Sequence, residues 1–157
     1  MSDRKADTGP PSAEYQALSA SHKRMHLAAN IAGLGFFEWH IPTDTALWEN
    51  DRVYEIFGLS PDDQPLSLSD LQNDFLHPED APEFIKIVKS SLKHGGKFMA
   101  SCRIKARNSG QYRRIKYHGE VELQSNGQPL RMIGVVQDIT EAWEQEESLR
   151  MQQQQYR

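Results

Sequence analysis

The last third of the chain carries three stretches that only a sheet satisfies. Phe98, Ala100, Cys102, Ile104 and Ala106 alternate with Met99, Ser101, Arg103, Lys105 and Arg107, which puts apolar side chains on one face and polar ones on the other. Ile115, Tyr117, Val121 and Leu123 repeat the pattern facing inward, against Arg114, Lys116, His118, Glu120 and Glu122 facing out. Residues 130–136 are short, β-branched and nearly uncharged, and read as a buried strand. Asn108-Ser-Gly110 and Asn126-Gly127 supply the turns between them. Connections this short join antiparallel neighbours, and the shared apolar face then needs a cover.

The cover and the rest of the sheet are legible upstream. Residues 35–41 form a strand with Phe37, Trp39 and Ile41 on one face and Phe36, Glu38 and His40 on the other. Pro42-Thr-Asp44 turns the chain into a short second strand at 46–48. Asn50 or Asp51 caps a short helix bearing Val53, Tyr54, Ile56 and Phe57, and Gly58 stops it. Pro61 and Pro65 mark a loop, and residues 67–75 hold another brief helix. Asp80-Ala-Pro82 opens a longer one with Phe84, Ile85, Val88 and Leu92 at helical spacing, ended by Gly95-Gly96. The expected fold is α+β: one five-stranded antiparallel sheet with helices on one face, flanked by an N- and a C-terminal helix.

Both flanks are helical and polar. Residues 1–12 are expected to be a disordered tail, and Ser12 to cap a helix over 13–32 with Glu14 in its first turn. Tyr15, Leu18, His22, Met25 and Ala29 follow steps of three and four, a seam suited to a partner helix. Leu27, Ile31 and Leu34 form a second stripe suited to packing on the domain. At the other end the apolar run meets Asp138-Ile139-Thr140-Glu141, where Asp138 caps a helix over 141–157 and Glu141 completes a capping-box-like pair. Ala142 and Leu149 are its apolar heptad positions, beside Glu146 and Gln153. A core strand feeding a protruding polar helix is a geometry for passing a change outward, with residues 33–140 as the sensing body.

Composition removes several function classes. A net charge of -4 and a pI near 5.8 argue against nucleic acid as the partner. No apolar run approaches a membrane span, no signal-peptide core follows the first residues, and Cys102 has no disulfide partner, so a cytoplasmic location is expected, in a parent protein free to be membrane-associated. His22 and His26 stand four apart without converging ligands, so no metal site is expected. The basic residues Arg103, Lys105, Arg107, Arg113, Arg114 and Lys116 are read as a solvated sheet face, and no catalytic constellation is present. Trp39, Phe57, Phe84, Tyr117 and Met132 lie on apolar faces and are open to two readings, plain core packing or the lining of a small-molecule cavity.

The order of elements and five short motifs together resemble a PAS domain, the sensory fold of bacterial signalling proteins. They are Gly35-Phe-Phe-Glu-Trp39, Ile56-Phe57-Gly58, His77-Pro78-Glu79-Asp80, the strand from Phe98 through Arg103-Ile104, and Gly134 followed by Asp138-Ile-Thr-Glu141. His40 departs from the usual Asp after the Trp, and Ser109-Gly110 from the commoner Asp-Gly. The resemblance implies a non-catalytic sensor and dimerisation module, relaying through Asp138, Ile139, Thr140 and Glu141 to an effector in the same chain. A histidine kinase or a cyclic-dinucleotide synthase or hydrolase is the implied effector, and a homodimer the implied assembly. Two alternatives stay open: a flavin- or haem-holding sensor, and a small enzyme using the same cavity. Thiol-adduct flavin chemistry is excluded, because the helices hold no cysteine and Cys102 is a mid-strand hydrophobe. For haem the long helix offers only His94 at its end, and no cofactor is predicted.

Overall fold

The period-two stretches form strands, and the sheet they build has its last strand in the middle. The structure is a computed structural model that describes residues 9–10 and 12–155. Most of the expected N-terminal tail, and the last two residues of the helix expected over 141–157, lie outside the described residues. The chain divides into two units, residues 1–32 and 33–157.

In the first unit, α1 spans Ala13–Ala32. The Ser12 hydroxyl accepts a hydrogen bond from the Tyr15 amide at 3.1 Å, the N-cap bond that releases the first turn from water. Tyr15, Leu18, Met25, Leu27 and Ile31 are all exposed, Ile31 at 89%. Leu34, placed in the second stripe, belongs not to this helix but to the first strand.

In the second unit, β1 (Leu34–His40) and β2 (Thr45–Trp48) form a hairpin, followed by α2 (Asp51–Phe57). After it come α3 (Leu68–Asp70), a π-helical turn (Leu71–Phe75) and α4 (Ala81–His94). Then follow β3 (Gly96–Lys105), β4 (Tyr112–Leu123), β5 (Pro129–Asp138) and α5 (Thr140–Gln155). The five strands lie in the order β2-β1-β5-β4-β3, every neighbour antiparallel. Ile104, Ile115 and Val136 of the sheet are fully buried against Val53, Ile56 and Phe57 of α2 and Phe84 and Val88 of α4. Each such side chain contributes about 1.5–3 kcal/mol relative to leaving it in water. α2 ends at Gly58, whose φ of 70° is left-handed and whose amide closes the last turn on Glu55.

Three local expectations are corrected. Leu123 is 40% exposed, because a register shift between Glu122 and Leu123 turns it out of the apolar row. Asn50 stands at the N-cap position of α2, but its side chain does not cap. It accepts from the Phe36 amide and donates to the Leu34 carbonyl, both at 2.9 Å, so it serves as a strand-edge partner for β1. Asp80 opens α4 as expected, at its N-cap position, and its carboxylate is held by Arg103. The basic cluster is not a uniformly solvated face. Arg113 donates to the carbonyls of Glu55 and Ile56 at 2.7 Å each, and Arg107 lies over the Phe75 ring.

Candidate functional site

Two features stand out, a cavity between sheet and helices and the exit of β5. On the inner face of the sheet, a row of aromatic residues is interrupted by two paired glycines. One row across the inner face of the sheet runs Trp48, Phe37, Gly134, Gly119, Phe98, each paired with the next. The two glycines sit side by side in the middle, where a Cβ on Gly134 would run into the His118 carbonyl and lie 2.7 Å from the Gly119 Cα. The strands approach closer there than any side chain allows, and the floor is left bare.

Aromatic rings fold over that floor. Tyr117 is their hub, with ring centroids 5.3 Å from Phe37, 5.9 Å from Phe84 and 6.5 Å from Phe98. Trp48 stacks on Phe57 at 5.3 Å. Edge-to-face and offset pairs of this kind add about 0.5–1.5 kcal/mol each beyond their buried area. Between them lies a cavity of about 60 Å³. Its wall includes Trp39, Phe57, Phe84, Tyr117 and Met132, the five residues singled out by apolar position. It also includes Phe37, Trp48, Val88, Phe98 and Val136, whose inward positions were equally visible in the alternation, and Leu66, Ser67, Leu68 and Leu71, which no periodicity marked. The space exceeds what one water needs and falls well below the roughly 300 Å³ at which drug-sized ligand sites begin, so a flavin or haem does not fit it as it stands.

The lining is almost wholly apolar. Tyr117 and Ser67 bring hydroxyls and Trp39 an indole N–H. Burial, with a smaller contribution from Cys102, pushes the Tyr117 phenol well above its ordinary pKa, so it stays protonated. The Cys102 thiol is likewise pushed up to about 12 by burial, which makes it inert at neutral pH. Trp39 is tethered at the rim, its Nε1 donating to Asp44 at 2.8 Å.

The exit is built around a threonine. The Asp138 carboxylate accepts from the Thr140 amide at 3.0 Å and from the Thr140 hydroxyl. Thr140 Oγ1 in turn accepts from the Arg114 amide at 2.9 Å, and the Ile139 amide donates to the Arg114 carbonyl at 2.8 Å. Asp138 thus bonds two residues ahead, to Thr140, where the sequence pattern suggested a pairing with Glu141. The Trp143 amide donates to the Ile139 carbonyl and begins the ladder of α5. Along the helix Ala142 and Leu149 are exposed, Leu149 at 60%, while Arg150 pairs with Glu147 at 3.1 Å. His22 and Ala29 complete the candidate seam on α1, where the His22 and His26 rings lie 4.4 Å apart.

A third cluster is structural. Arg103 Nε and Nη2 donate to the two Asp80 oxygens at 2.9 and 2.8 Å, and Nη2 also reaches Glu79 at 3.2 Å. Hydrogen bonding from Arg103, opposed by partial burial, holds the Asp80 carboxyl below the usual range. His77 accepts from the Glu79 amide through Nδ1 at 3.1 Å, so its ring organises the turn. Together they pin the start of α4 to β3.

Residues 47–136 match the PAS fold family. The chain is 25% identical over 127 residues to the probable diguanylate cyclase DgcE of Escherichia coli. That match takes in 81% of this chain but spans only 11% of the relative's length. Among solved structures it is similar to a sensory box histidine kinase/response regulator from Burkholderia thailandensis, with a TM-score of 0.72, 26% identity, and coverage of 85% of this chain and 97% of the other. The N-terminal domain of a diguanylate cyclase with PAS/PAC sensor from Marinobacter aquaeolei shares the fold, with a TM-score of 0.60 at 20% identity, over 68% of this chain and 95% of the other.

Proposed function

This chain belongs to the PAS fold family, and on that premise we propose that residues 33–140 form a non-catalytic sensor of a small, largely apolar ligand. Occupation of the cavity shifts β4 and β5, and the exit at Asp138, Ile139, Thr140 and Glu141 passes the shift to the helix over 141–157. An effector in the same polypeptide reads it. Proteins named as a histidine kinase/response regulator and as diguanylate cyclases contain similar domains, which supports a two-component or cyclic-di-GMP output. A cytoplasmic homodimer, joined through the seams on α1 and α5, completes the reading. Among the described residues no helix is long and apolar enough to cross a membrane.

The observation that carries the proposal is a shared strand. Val136 lines the cavity and Asp138 holds the exit two residues later, about 7 Å along β5. A ligand that pushes on Val136 has no slack through which to lose the displacement. The wall also supports a binding role over a catalytic one, since its hydroxyls and indole include no general base at neutral pH.

The test is a thermal-shift screen of small aromatic and aliphatic compounds, followed by amide exchange on any that bind. A ligand should raise the melting temperature of the native chain, leave a cavity-filled Val88→Phe variant unmoved, and alter exchange in α5. Binding that leaves α5 exchange unchanged would overturn the relay. An absorption band above the protein envelope in the purified protein would replace the reading with a cofactor-holding one.

A further inference from the structure

Apart from Tyr117 on β4, the residues that line the cavity and yet retain exposure mark its mouth. Trp39 and Ala46 stand on one side, on the β1–β2 hairpin, and Leu66, Ser67 and Leu68 on the other, at the entry to α3. Asp44 joins the two sides. Its Oδ1 accepts from the Trp39 indole and from the Leu68 amide, each at 2.8 Å, and its Oδ2 accepts from the Ser69 hydroxyl at 2.7 Å and the Ser69 amide at 3.3 Å. Asp44 is also the one described non-glycine residue with positive φ, at 50°, a conformation that surrounding bonds must hold.

We infer that Asp44 is a latch across the cavity mouth, and that a ligand enters when residues 66–71 swing away from the β1–β2 hairpin. The inference rests on the sensor reading for the identity of the cavity, but it concerns access and can fail separately. The segment is suited to move. α3 has three residues, the following turn is π-helical, and the preceding loop exposes Pro61, Asp62, Asp63 and Gln64. Trp39, by contrast, belongs to a strand paired on both sides. Partial burial works to raise the Asp44 pKa, but bonds from Ser69, Leu68 and Trp39 outweigh it, so the carboxylate is ionised and the latch closed at neutral pH.

The test uses acrylamide as a small neutral probe. In the full chain with Trp39→Phe and Trp143→Phe, which gives up the indole bond to Asp44 but keeps the Leu68 and Ser69 bonds that cross the mouth, Trp48 is the remaining indole, buried and facing the cavity. Adding Asp44→Ala should raise the acrylamide quenching constant of Trp48 about fivefold, the factor for losing a net hydrogen bond from the closed state. Ser69→Ala, which removes one bond and carries the test if Asp44→Ala fails to fold, should give a smaller rise. Asp63→Ala, which removes only a bond to the Ser60 amide in the adjacent loop, should give none. The latch is overturned if Trp48 quenching stays flat while the Leu68 and Ser69 amides exchange faster, or if amides of β3 and β4 loosen by the same factor. Gated quenching with no compound bound in the thermal-shift screen would leave the latch standing and remove the sensor reading.

Discussion

The Arg114 guanidinium carbon stands 3.7 Å from the centre of the Trp143 ring, so α5 is fastened to β4 as well as continuing from β5. The contact adds to the bonds that Arg114 makes through its backbone with Ile139 and Thr140. A cation over an indole at a partly exposed site contributes about 0.5–1 kcal/mol. Trp143→Ala should therefore speed amide exchange in the first turns of α5 by about threefold while leaving the melting temperature of the sheet nearly unchanged. Equal loosening of β4 and α5 by hydrogen-exchange mass spectrometry would contradict this.

Asp138→Ala removes the acceptor for both Thr140 groups. The expected loss is about 1–2 kcal/mol, expressed mainly as fraying of α5, with the five-stranded sheet intact by circular dichroism. In a longer protein with an effector the same change should uncouple output from ligand. Retention of the full signal response would refute the assigned role.

Gly134→Ala tests the close approach of β4 and β5. A Cβ there meets backbone on the neighbouring strand, which cannot yield as a flexible side chain does. Destabilisation of at least about 2–3 kcal/mol is expected by urea denaturation, against well under half of that for Gly127→Ala in the open hairpin turn beyond the backbone strain there.

Acid should act through Asp44 and Asp80, whose folded pKa values both lie below the ordinary value. A depressed carboxylate contributes stability that is complete above the unfolded pKa and lost as pH falls through the folded one. Melting temperature should hold constant from neutral pH to about 5 and fall below about 4. In an Arg103→Gln variant, which keeps the residue-103 amide on Asp80 but loses the guanidinium, the Asp80 part of that fall should shrink, leaving a shallower acid limb in a pH series of thermal melts.

Tyr117→Phe separates packing from recognition. The ring contacts survive the change, so stability should move by less than about 1 kcal/mol. A ligand hydrogen-bonded to the phenol should bind about tenfold more weakly, read by titration calorimetry, whereas a purely apolar one should be indifferent.

What the sequence made legible was whatever repeats. The alternation in β3 and β4 and the helical spacing in α4 foretold both their existence and their inner faces, because burial on one side imposes a period on the chain. Phe57, Phe84 and Tyr117 followed from that logic. The wall at residues 66–71 did not, since a three-residue helix and a π-helical turn have no period to read. Nor did Asp44, Asn50 and Arg113, whose partners lie 25, 16 and 58 residues away at their furthest. A polar side chain that bonds across the fold leaves no pattern in its neighbours. Leu123 was misread for a related reason: a single register shift at Glu122 breaks the period just where it was extrapolated.

The position of β5 has a consequence for assembly. Leu34 pairs with Gln137, more than a hundred residues later, and β1 and β4 meet only through the last strand to be made. The hairpins β1–β2 and β3–β4 cannot join into one sheet on a ribosome until residue 138 has emerged, which makes folding slow for a domain of this size and late in translation. The keystone strand is also the one that leads into α5. The sheet is thus completed by the same stretch of chain that leads out of it, and a product truncated before β5 has neither a finished sheet nor an exit.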